Sequence, residues 1–70
     1  MNLSDVKDEV LSLLNKEVMI KVHGNRNKTM VYKGIINNCY SNVFTVLTEG
    51  INKSFSYSDV AIGDVVIYNS

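Results

Sequence analysis

The stretch from Met30 to Leu47 reads MVYKGIINNCYSNVFTVL. Two runs rich in β-branched and aromatic residues flank a polar middle, and such residues favour the pleated, half-buried surface of a β-strand. Gly34 interrupts the first run, and a glycine inside a strand marks a bulge, a sharp bend or a close approach of two backbones. We therefore predict a strand bent at Gly34, followed by a second strand, at the centre of a small, strongly curved antiparallel barrel.

Further strands are predicted on both sides of this centre. Val18, Ile20 and Val22 alternate with polar residues, which is typical of a strand with one wet face. Asn37 and Asn38 suit a local turn or bulge. The predicted strands are residues 17–23, 29–37, 39–48, 53–57 and 65–68. A turn at 49–52 with Gly50 at positive φ, and a helical or 3₁₀ turn capped by Ser58 and Asp59, connect the last of them.

A helix is predicted over residues 3–16, with Ser4 as its N-cap and an apolar stripe along one side. The stripe consists of Val6, Val10, Leu13 and Leu14, widened by Leu3 and Leu11. We interpret the helix as a cover over an open end of the barrel, and docking of the stripe on a partner's helix is the alternative. The chain is thus predicted to be mainly β, a small five-stranded SH3-like (Sm-like) barrel with an N-terminal α-helix.

The length and charge of the chain limit its function. Seventy residues make one small domain, residues 1–70, with room for a single core. Seven basic and seven acidic residues cancel, whereas a dedicated nucleic-acid binder is usually basic. No apolar run approaches the length of a membrane span, and no secretory signal is recognisable, so a cytoplasmic protein without membrane contact is expected.

The single cysteine and the single histidine exclude most site chemistry. Cys39 cannot form an internal disulfide, and with His23 it gives too few ligands for a structural zinc site. Cys39 is interpreted as a small buried hydrophobe, because no base adjacent in sequence would activate it as a nucleophile. We therefore expect no catalytic residues, no metal and no cofactor. A small domain without a disulfide or metal commonly gains stability by association, which predicts a homodimer.

Basic residues cluster around the first predicted hairpin. The turn at residues 24–28 carries Arg26 and Lys28, and Lys21 shares a strand face with His23, with Lys33 nearby. The residue spacing of this turn is not that of a P-loop, because the Gly-Lys-Ser/Thr ending is missing. These five residues are the candidate contact site for an anion or a protein partner, against the alternative of a solvated hairpin loop.

Five segments in this order resemble the Veg family of Firmicute bacteria. They are LSDVK at 3–7, GNRNKT at 24–29, GII at 34–36 with YSNVFTV at 40–46, and SYSDV at 56–60. The resemblance implies an SH3-like barrel and a small, cytoplasmic, non-enzymatic protein. It also implies a role in biofilm formation and in regulation of transcription, through contact with a protein such as a transcriptional repressor of matrix genes.

An Sm-like nucleic-acid-binding protein is the alternative function. The leading helix, five strands and bent second strand are compatible with it, and Tyr32 and Tyr40 would stack on bases if exposed. Both tyrosines lie on mostly apolar strand faces, which favours packing in the core. Binding that weakens steeply with salt would distinguish this alternative from protein binding.

Overall fold

The computed structural model describes residues 2–24 and 28–69 of the chain. It contains the predicted leading helix, five strands and a short helix before the last strand. In chain order the elements are α1 (Leu3–Ser12), β1 (Glu17–His23), β2 (Thr29–Cys39), β3 (Val43–Thr48), β4 (Ile51–Ser56), α2 (Tyr57–Ala61) and β5 (Val65–Asn69). The prediction of a mainly β chain with an N-terminal helix is confirmed.

The five strands form one antiparallel sheet in the order β4-β3-β2-β1-β5. Strands β4 and β5 are its two edges and do not pair with each other within the described residues. Helix α2 joins these two edge strands and contacts both of them. The closed barrel that we predicted is therefore not confirmed, because the described β4 and β5 are not hydrogen-bonded to each other.

Strand β2 changes partners at Gly34. Its first half pairs with β1 from Thr29 to Ile35, and its second half pairs with β3 from Ile35 onward. A Cβ atom on Gly34 would clash with the carbonyl oxygen of Leu47 and lie 2.9 Å from Cγ1 of Val46. The predicted close approach at Gly34 is thus confirmed, since only a residue without a side chain lets the backbone of β3 lie this close to β2.

A bulge at Asn37 bends the same strand a second time. Ile36 pairs with Val46 and Asn38 pairs with Thr45, so Asn37 is an extra residue in β2. Its side-chain oxygen accepts a hydrogen bond from Thr45 Oγ1 at 2.6 Å, and its amide nitrogen donates to Asn52 Oδ1 at 2.8 Å. The bulged side chain therefore bridges three strands, as the predicted bulge required.

Helix α1 covers the inner face of the sheet. Val6 and Val10 are fully buried, and they pack in one cluster with buried residues of β1, β2, β3 and β5. The helix therefore packs against the core of its own chain, whereas the open barrel end that it was predicted to cover is not confirmed because the sheet is not closed. Leu3 and Leu11, which we expected to widen the stripe, are exposed instead.

The ends of several elements differ from the predictions because local hydrogen bonds decide them. Asn2 caps α1 in place of Ser4, by accepting from the Asp5 amide at 2.9 Å, and the helix ends at Ser12. Strand β2 continues to Cys39, and β3 begins at Val43. Ser56, two residues before the predicted cap Ser58, is the cap of α2 and accepts from the Asp59 amide at 3.1 Å.

The hairpin turn between β3 and β4 stores backbone strain. Gly50 has φ 79°, as predicted, and Glu49 before it has φ 52°. We expect Glu49→Asn to raise the free energy of unfolding by about 0.5–1 kcal/mol, because Asn tolerates the left-handed conformation better than Glu. Urea denaturation followed by circular dichroism measures the change. Glu49→Ala is the control, since it removes the charge and keeps the strain; an equal gain in both variants would contradict the turn explanation.

Candidate protein-contact surface

The lysines of the first hairpin lie on the face of the sheet that α1 does not cover. Lys21 is directly opposite Val31, and Met19 is directly opposite Lys33, so both lysines share one face. His23 is on the same face, because it is two residues from Lys21 in an alternating strand. We call this side of β1 and β2, with its neighbours in β3 and β5, the outer face.

Apolar side chains surround these lysines on the outer face. They connect across the strands, since Met19 is opposite Tyr68 and Ile35 is opposite Leu47. The members exposed by more than a third of their area are Met19, Val31, Ile35, Leu47 and Tyr68. Apolar residues gathered among polar ones mark interaction sites more often than the same residues scattered singly.

The five predicted site residues fall into three groups. Lys21, His23 and Lys33 share the outer face, as described above, and Lys28 is exposed just before β2 begins. Arg26 lies outside the described residues. The Lys33 ammonium is 3.5 Å from a Glu17 carboxylate oxygen, and both side chains are more than half exposed. Such an exposed ion pair contributes little stability, so Lys33 can exchange this partner for another at small cost.

An open groove beside the first half of β2 was not anticipated from the sequence. It has a volume of about 560 Å³, and its lining includes Met30, Val31 and Ile51. The ammonium of Lys53 lies 4.7 Å from the centre of the Tyr32 ring inside it. Recognising the groove requires knowing that β3 ends where β2 bends, which no local sequence pattern shows.

The tyrosines named for base stacking differ in exposure. Tyr32 is half-buried, beneath Lys53 and with its ring centre 6.3 Å from that of Phe55. Tyr40 is 55% exposed. The expectation that both pack in the core therefore holds for Tyr32 in part and fails for Tyr40, which follows the last residue of β2.

Cys39 is partly buried against the core, so the prediction of a buried cysteine holds in part. Burial raises the pKa of its thiol above the ordinary value of 9.0, and a hydrogen bond with Tyr57 lowers it to a smaller extent. Burial likewise raises the pKa of the Tyr57 hydroxyl, which donates to the Tyr40 carbonyl oxygen at 2.9 Å. A thiol held in its neutral form lacks the thiolate character of a nucleophile.

This environment predicts that stability falls at alkaline pH. Folded Cys39 keeps its proton at pH values where the unfolded chain releases it, so the stabilisation is complete below 9.0 and declines as the pH rises through the folded pKa. We expect the urea midpoint to drop between about pH 7 and about pH 10, and to drop less in Cys39→Ala. An equal decline in both proteins would show that the thiol is not responsible.

Among the described residues, no three His, Cys, Asp or Glu side chains gather as a metal site would require. No helix in the part of the chain that the structure describes is long and apolar enough to cross a bilayer.

A comparison with models of protein families gives a match over nearly the whole chain. A model of the family described as "Biofilm formation stimulator VEG" matches residues 1–68 of the 70-residue chain. No curated protein matches the sequence significantly. The family description concerns biofilm formation and names no reaction, substrate or cofactor.

Proposed function

The chain belongs to the VEG family of biofilm formation stimulators, and from this premise we propose that it is a non-enzymatic cytoplasmic regulator that changes transcription of biofilm genes by contacting another protein. The family description supports the connection with biofilms. The proposal adds the protein contact, the effect on transcription and the surface that makes the contact. A transcriptional repressor of matrix genes is the partner that would join these parts.

The outer face is the observation that supports a protein contact. Its exposed apolar side chains surround Lys21 and Lys33, and protein interfaces combine an apolar centre with a polar rim in this way. The broad side of the molecule measures 31 × 29 Å, so this side is large enough for the ~800 Å² per partner that a stable interface buries. Charged side chains at the rim would set the association rate and the choice of partner.

A complementation experiment tests the proposal. A strain that lacks the gene receives the wild-type chain, the outer-face variant Lys21→Glu with Lys33→Glu, or the control Lys7→Glu with Lys16→Glu. Both variants change the net charge equally, and the control leaves the outer face intact. We expect the outer-face variant to lose biofilm mass and matrix-gene transcripts, since reversed charge repels a matched partner.

Equal biofilm mass and transcript levels in all three strains would overturn the proposal. Circular dichroism of each purified variant ensures that a loss does not come from unfolding. Loss of biofilm with unchanged transcripts would reject the proposed effect on transcription and would still support the outer face as a contact surface.

The same family membership is compatible with a homodimer, which stays a prediction. Sedimentation at micromolar concentration distinguishes a monomer from a homodimer. A dimer supports the proposed association of this small domain, and a monomer at every concentration measured would refute it.

A further inference from the structure

We propose that the first half of β2 accepts an extended acidic segment of the protein partner, which adds to the sheet as a further strand along the open groove. This inference rests on the proposed function, because it specifies how the partner is held. The open edge consists of Thr29 and Val31, whose backbone groups point away from β1.

Hydrogen-bond alternation identifies the free backbone groups. The Thr48 hydroxyl of β3 donates to the Lys33 carbonyl oxygen at 2.8 Å, so the backbone polar groups of Lys33 point away from β1. Because direction alternates along a strand, those of Val31 and Thr29 point the same way. Described pairing with β3 begins only at Ile35, so no described strand pairs with Thr29 or Val31 on this side, whereas the Lys33 carbonyl oxygen is already bonded to Thr48.

The first half of β2 is exposed on both of its side-chain faces as well as along its unpaired edge. Met30 and Val31 point to opposite faces, and each is 55% exposed. The strand therefore offers one edge and two apolar faces at once, which is the arrangement that proteins normally avoid by covering or charging an edge. Peptides that add as strands use such an edge for backbone hydrogen bonds and such side-chain positions for specificity.

The charges around the groove select the chemistry of the added segment. Lys33 and Lys53 line the groove, and Lys28 stands immediately before the open edge. Glu49 is the acidic residue of the lining. Lys53 lies over the Tyr32 ring on the Met30 face, whereas Lys33 lies on the outer face with Val31. An added strand with alternating acidic and apolar residues would therefore place its carboxylates on the Met30 face near Lys53 and its apolar side chains near Val31.

Binding of a designed peptide tests the proposal. The probe is a blocked octapeptide that alternates Glu with Val, titrated by fluorescence anisotropy at low salt. Val31→Pro removes the open-edge amide and leaves the β1 ladder intact, so we expect about tenfold weaker binding, the loss of roughly one hydrogen bond. Ser54→Pro is the matched control, because alternation in β4 points the Ser54 amide to the outer edge of that strand; its affinity should equal that of the wild type.

Two further arms keep the result independent of how the proline variants fold. The same peptide with its alternate amides N-methylated should bind the wild-type protein at least about tenfold more weakly, since it cannot form the backbone ladder. Lys28→Glu with Lys53→Glu should reverse the preference, so that an octapeptide of Lys and Val binds better than the acidic one.

Failure of this inference can be distinguished from failure of the proposed function. If N-methylation leaves affinity unchanged, or the acidic peptide does not bind, strand addition is wrong. If Val31→Pro alters the oligomeric state of the peptide-free protein, a second copy occupies the edge and the acidic partner is rejected. Biofilm complementation by Val31→Pro at the wild-type level would overturn strand addition as well, while loss of complementation in the outer-face variant would still support the protein contact.

Discussion

Phe44→Ala is expected to lower the free energy of unfolding by about 3–5 kcal/mol, the range for truncating a buried aromatic side chain. The Phe44 side chain is fully buried, and its ring centre lies 5.6 Å from that of Tyr57 and 5.8 Å from that of Phe55. Truncation leaves a cavity among β3, β4 and α2. A domain of this length has a total stability of roughly 4–10 kcal/mol, so the variant is largely unfolded or close to it.

Urea denaturation followed by circular dichroism measures this change. Leu11→Ala is the matched control, because Leu11 is 54% exposed on α1 and alanine favours the helix. We expect the control to shift stability by no more than about 0.5 kcal/mol. A Phe44→Ala protein as stable as this control would show that the aromatic cluster is not the centre of the core.

Gly34→Ala is expected to cost about 3 kcal/mol or more, through overpacking. The added methyl group would meet the Leu47 carbonyl oxygen and, at 2.9 Å, Cγ1 of Val46. The first of these contacts is with backbone that pairs with Ile35, so it cannot yield without separating β2 from β3. Removing this close approach therefore removes the bend on which the open groove depends.

The control for this substitution is Gly24→Ala. Its added methyl group would lie 3.1 Å from the Lys28 carbonyl oxygen, a milder contact in a turn. We expect the urea midpoint of Gly24→Ala to stay much closer to that of the wild type. Equal midpoints for the two alanine variants would reject close packing as the reason for Gly34.

The features that could be predicted from the sequence are those that depend on local chemistry. Gly34 and Asn37 mark the bend and the bulge because a missing side chain and a short amide side chain suit such positions wherever they occur. The alternation of Val18 and Ile20 with polar residues likewise predicts which side of β1 is buried, and burial of both confirms it.

The features that could not be predicted depend on contacts between distant segments. Closure of the sheet depends on how β4 and β5 pack against α2, and the sequence of a single strand does not determine this packing. The predicted helix cap lies two residues too late because Asn2 and Ser4 are both good caps, and the choice depends on the path of the chain before the helix.

The candidate site could likewise be predicted only in part. Lys21, His23 and Lys33 were expected near one surface from strand alternation, and the register places them on one face. The open edge at Val31 cannot be predicted from the sequence, because it arises from the end of β3, which leaves the first half of β2 without a partner on that side. A long apolar strand with lysines at its ends is the sequence signal that would have raised the question.

The most direct test of the central claim is affinity capture from native lysate, with and without nuclease, using the wild-type chain and the variant Lys21→Glu with Lys33→Glu. The account predicts that a transcriptional repressor is captured by the wild type after nuclease treatment and is lost from the variant. Capture that disappears with nuclease, or that both proteins show equally, would contradict a protein contact through the outer face.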